Sequence, residues 1–187
     1  MKKVLIAVIG IMLSTGLTTA QAQNSTSETP NFSKLDASPM DLALYRNPDN
    51  EPIARVIYSR PQRRDREVFG KLVPYGEVWR TGANEATELT LYKDLQVAGE
   101  TVPQGTYTLY TIPKENEWTV ILNKKTHTWG AYEYSSEQDF VRISVPARKA
   151  PNNIEALSMA FEQIDNGANL LIGWDDRYVK IPFKETM

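Results

Sequence analysis

An asparagine beside a glutamate, Asn84-Glu85, closes the densest stretch of specific side chains in this 187-residue chain. A carboxylate next to an amide can accept a proton, bind a sugar hydroxyl or hold a cation. A structural account competes. Irregular chain must satisfy its own buried polar groups, and Glu85 could do this by pairing with Arg80 or Arg60.

The same stretch carries Arg60, Arg66 and Arg80. Between Arg55 and Arg80, seven basic side chains face three acidic ones. Guanidinium groups bind carboxylate or phosphate bidentately, so three of them converging would make an anion pocket. The alternative is that their stems cover apolar surface while their heads pair with carboxylates.

His127 is the only histidine, and cysteine is absent. Any Ser-His-Asp arrangement would have to use His127, and no residue near it in sequence has triad or metal-ligand spacing. Asp165-Asn166-Gly167 and Asp175-Asp176 are ordinary turn chemistry before they are calcium ligands. The sequence therefore calls for no metal and no cofactor. Glu85 and His127 are the residues with which any catalysis would start. Most aromatic rings suit strand packing, and Trp79 and Trp129 are the two expected to stack on a sugar.

These side chains need a scaffold, and the pattern around them is all-β. Short runs recur: Met40–Tyr45, Ile53–Ser59, Glu88–Tyr92, Leu95–Ala98, Thr106–Ile112, Trp118–Leu122 and Phe140–Val145. Leu157, Met159 and Phe161 share one face. So do Leu170, Ile172 and Trp174, and then Val179, Ile181 and Phe183 beyond a turn at Asp175-Asp176. Alternation with one apolar face marks half-buried antiparallel strands. Residues 153–163 also fit a helical period, but the Asp-Asn-Gly turn after them favours strand. Nine or ten short strands predict an antiparallel β-sandwich, with a jelly roll as one form it could take.

The start of the chain sets the compartment. Lys2 and Lys3 precede an apolar run to Leu13, and Ala20-Gln21-Ala22 places small residues where a signal peptidase reads. Residues 1–22 are therefore expected to be a signal peptide, 23–39 a polar disordered leader, and 40–187 one β-sandwich domain. Removing Lys2 and Lys3 from the 21 basic side chains leaves 19 against 23 acidic ones, a formal −4. No basic field invites nucleic acid, and no later segment is apolar enough to span a membrane. The expected location is periplasmic or secreted.

A family resemblance emerges from Tyr58-Ser59-Arg60-Pro61, Arg66-Glu67-Val68-Phe69-Gly70, Leu72-Val73-Pro74-Tyr75-Gly76 and the string Val78 to Thr87. It continues through Gly105-Thr106-Tyr107, Thr111-Ile112-Pro113, Trp118 to Ile121 and Trp129-Gly130. Together these resemble the bacterial family called domain of unknown function 2911. The resemblance implies an exported envelope protein and carries no catalytic assignment. The family pattern has lysine and glycine where this chain has Arg64-Asp65, so those two charges are left out of the site.

Two functional classes follow. One is a non-catalytic binding or interaction domain whose partner is a small molecule, a glycan, a small anion or an envelope protein. Its expected binding residues are Arg60, Arg66, Trp79, Arg80, Asn84, Glu85 and Trp129. The other is a glycan hydrolase using Glu85 and a second carboxylate.

Overall fold

The computed structural model describes residues 29–186. The expected signal peptide lies outside them. Residues 29–34 carry no regular secondary structure, and all ten strands lie in the unit that begins at Leu35. The strands are β1 Met40–Arg46, β2 Pro52–Ser59, β3 Glu88–Leu91, β4 Leu95–Val97 and β5 Glu100–Val102. Then come β6 Gly105–Pro113, β7 Glu117–Asn123, β8 Asp139–Pro146, β9 Arg148–Ile164 and β10 Gly167–Glu185. They form two antiparallel sheets, ordered β1-β2-β3-β6-β7-β8 and β5-β4-β10-β9. The helix-compatible stretch 153–163 is strand. β5 is an addition to the sequence reading, because Ala98 and Gly99 turn tightly at positive φ and leave room for three more paired residues.

The sheets close over one core. Val56, Leu89, Leu109 and Val120 from the first sheet meet Leu157, Leu170, Ile172, Val179 and Ile181 from the second, all fully buried. Period-2 alternation supplies this face, and burial of such side chains stabilises by roughly 1.5–3 kcal/mol each.

The Asp175-Asp176 turn foreseen from sequence appears as a reversal inside β10. Asn166 O accepts the Glu185 N–H at 3.0 Å. At the other end, a Cβ on Gly173 would stand 3.3 Å from Tyr178 Cβ. The two halves of β10 thus lie side by side; residues 167–178 pair with β9 and residues 183–185 with β4. Asp175 takes the strained apex at φ 52° and is buried.

The irregular stretch from Arg60 to Thr87 plugs the end of this sandwich. Val68, Phe69, Val73 and Trp79 enter the core. Trp79 exchanges both backbone hydrogen bonds with Thr111, at 2.8 and 3.0 Å. The stretch is anchored to the β10 apex. Asp175 Oδ2 accepts the Val68 N–H at 3.1 Å, and Asp175 Oδ1 lies 2.8 Å from Arg63 Nε. The Arg63 approach is off the N–H axis, so it is a charge contact more than a directed hydrogen bond.

β1 is an outer strand. Alternate residues of such a strand turn their N–H groups away from the only neighbour. The Leu42 N–H does so, and Asp41 Oδ1 accepts it at 2.8 Å.

Candidate functional site

The outer face of the six-stranded sheet has two unlike halves. Over β6 and β7, Tyr110 and Ile121 face outward yet are buried. The connection between β7 and β8, residues 124–138, roofs them with Ala131 and Tyr134. Over β1 and β2 there is no roof, and Met40, Leu42 and Leu44 are exposed. A recess of about 300 Å³ opens where roof meets bare sheet, with Met40, Ile57, Glu85, Glu88, His127 and Thr128 around it. Tyr58 borders it too, but its ring turns inward to the core, where burial pushes the phenol's pKa up.

The roof is fastened at many points. Thr108 Oγ1 donates to Lys125 O at 2.6 Å, and the Tyr110 and Thr128 hydroxyls share a hydrogen bond of 3.0 Å. Glu88 Oε1 accepts the His127 N–H at 2.8 Å and lies 3.2 Å from His127 Nδ1. Ala86 N donates to Thr128 O, and Gly130 N to Asn84 O, each at 2.9 Å. At the far end, Asn123 Nδ2 and the Tyr134 hydroxyl donate to the two oxygens of Asp139 at 2.8 and 2.7 Å. A loop pinned this way presents its side chains with little ordering left to do on binding.

Glu85 and Trp129 sit opposite each other in an antiparallel bridge. Opposed residues of such a pair project to the same side, so the carboxylate and the indole share a face. Trp129 is 61 % exposed and stacks on Tyr132, itself 80 % exposed, with ring centroids 5.6 Å apart and planes 13° from parallel. Two large rings held flat together in water form a platform. Gly130 permits it: φ is +70°, and a Cβ there would come within 2.7 Å of the Tyr132 ring.

Thr81, Asn84 and His127 adopt φ of 54°, 57° and 59°. Asn tolerates this region, but a β-branched Thr is a genuine outlier. Thr81 is fixed there because its carbonyl accepts from Thr87 Oγ1 at 2.8 Å and its hydroxyl bonds that of Thr111 at 3.0 Å. Such strain persists only where surrounding structure enforces it.

Of the residues singled out from sequence, Asn84, Glu85, His127 and Trp129 come together. Trp79 does not join them. Its ring is buried, stacked on Trp174 at 5.9 Å with its Nε1 donating to Gly82 O at 3.2 Å, and it offers no open face. The arginines do not converge. Arg60 spends its guanidinium on Leu157 O, Asp41 Oδ2 and Ser158 Oγ at 2.9–3.0 Å. Arg66 folds back onto Arg63 O and Gln62 O at 2.8 and 2.6 Å. Arg80 is half-buried, forms no ion pair among the described residues and does not line the recess. Glu85 pairs with none of them. Sequence reasoning missed Glu88, which joins the site through His127, 39 residues away. Among the described residues no group of three or more His, Asp and Glu is placed to hold a metal ion.

An all-β sandwich bearing a carboxylate-lined recess and an exposed aromatic stack on one sheet face is the class of protein these features define. No helix among the described residues is long and apolar enough to cross a membrane. The chain belongs to the family described as protein of unknown function (DUF2911), which it matches over residues 38–183. No curated protein and no solved structure matches it.

Proposed function

We propose that this is an exported, non-catalytic binding domain whose ligand is a glycan, acting in the periplasm or outside the cell. The observation that carries the reading is the Trp129–Tyr132 stack, exposed and flat, beside Glu85 in a preorganised rim. Apolar ring faces suit the C–H faces of a sugar, and a carboxylate suits its hydroxyls. A small anion is disfavoured, because the recess presents carboxylates and no guanidinium group lines it. Export rests on Lys2-Lys3, the apolar run and Ala20-Gln21-Ala22.

Tryptophan fluorescence and thermal shift against a panel of oligosaccharides test this. Binding should be lost in Trp129→Ala and weakened in Glu85→Ala, with melting near that of the parent, since both side chains are exposed. A panel that leaves fluorescence and melting unmoved sinks the proposal. A second reading, a glycan hydrolase, draws on Glu85 and Glu88 lining one recess. Two carboxylates are what that chemistry needs. Release of reducing ends that disappears in Glu85→Gln would decide for it.

A further inference from the structure

We infer that the sugar this recess takes is a cationic amino sugar, recognised through its ammonium group. The inference rests on the glycan reading above and narrows it. Glu85 and Glu88 line the recess, and neither lysine nor arginine does. Asp36 adds a third carboxylate alongside, accepting from Asn84 Nδ2 at 3.1 Å. His127 is held by Glu88, and Arg60 and Lys125 are committed to Asp41 and Glu133. The exposed Glu85 carboxylate, which forms no ion pair among the described residues, therefore faces the ligand with its charge unneutralised.

A neutral sugar would satisfy that carboxylate through hydroxyl donors. An ammonium does so with charge-assisted hydrogen bonds, roughly twice as strong. The adjacent Trp129 and Tyr132 rings add a cation–π contribution, for which indole is the best partner. Uronates and sulfated sugars meet like charge instead. Glu88 holds His127 in place with one oxygen, so its charge acts partly through the loop that carries the platform. Glu85 is the free recognising group.

The test uses the purified protein and three probes of equal length: oligomers of glucosamine, of N-acetylglucosamine and of galacturonate, followed by Trp fluorescence. Glucosamine oligomers should bind at least about tenfold more tightly than the acetylated ones. That preference should disappear in Glu85→Gln and shrink as salt rises. Equal affinity for the acetylated oligomers overturns the ammonium assignment and leaves the glycan reading standing. Preferred binding of galacturonate also overturns it. Silence from all three probes, in a protein that melts normally, overturns both.

Discussion

Tyr58 reaches from the six-stranded sheet to hold both backbone groups of Met159 in the other. Its hydroxyl accepts the Met159 N–H at 2.9 Å and donates to the Met159 carbonyl at 3.4 Å. Both residues are buried, so this phenol is a rivet between layers. Tyr58→Phe keeps the ring and orphans the Met159 N–H. The expected loss is about 1–3 kcal/mol, the cost of leaving a buried donor unsatisfied. Denaturant unfolding measures it as a lower midpoint at unchanged slope.

Gly130→Ala should disturb the platform more than the fold. The added methyl meets the Tyr132 ring at 2.7 Å, and that ring is free to swing into solvent. The left-handed φ adds a cost of about 1–2 kcal/mol. The expected result is a changed Trp129 emission spectrum and weaker glycan binding, with modestly lower melting. Unchanged binding would mean that Tyr132 does not contribute to the platform.

Asp65→Gly should stabilise the protein. Arg64 and Asp65 form a two-residue turn with φ of 51° and 58°, closed by Arg66 N donating to Arg63 O at 3.1 Å. Both positions favour glycine or asparagine. The Asp65 side chain is fully exposed, and its contact with Arg63 is long, 3.9 Å. Relief of a left-handed residue, less the greater chain entropy of glycine, leaves a gain below about 1 kcal/mol. A higher melting temperature checks it.

Tyr134 should titrate at unusually high pH. Burial, then the hydrogen bond to Asp139 and its charge, push the phenol up to about 12 from an ordinary 10.0. A raised folded pKa means the contribution to stability is whole below about 10 and is lost as pH climbs towards 12. Ultraviolet titration of the phenols should include a group ionising near 12, and Asp139→Asn should bring that group down. The segment carrying His127 and Trp129 should loosen over the same interval, because Tyr134 anchors it.

The strands were legible because alternation reports burial directly. Leu170, Ile172 and Trp174 announce one half of β10, and Val179, Ile181 and Phe183 the other. The reversal between them was legible in Asp175-Asp176. The site was legible only in part. Asn84, Glu85 and Trp129 stood out by type, but a tryptophan in irregular chain carries no period to say which way it points. Trp79 therefore read like Trp129, and only the core formed by Phe69, Trp118 and Trp174 separates them. Two of the three partners of Arg60 lie 97 and 98 residues away on β9, beyond any local pattern. Glu88 escaped notice because its role is set by a loop that returns from the far side of the sheet.

The carboxylate of Asp41 also governs what the molecule does in company. A seven-residue border strand with methionine and two leucines on its bare side is the sort of surface on which a stranger's chain could continue the hydrogen-bonded ladder. By occupying the Leu42 N–H, Asp41 withholds the middle rung. Replacing it with alanine would release that rung and uncouple Arg60 together, leaving the border open to pairing with a second chain.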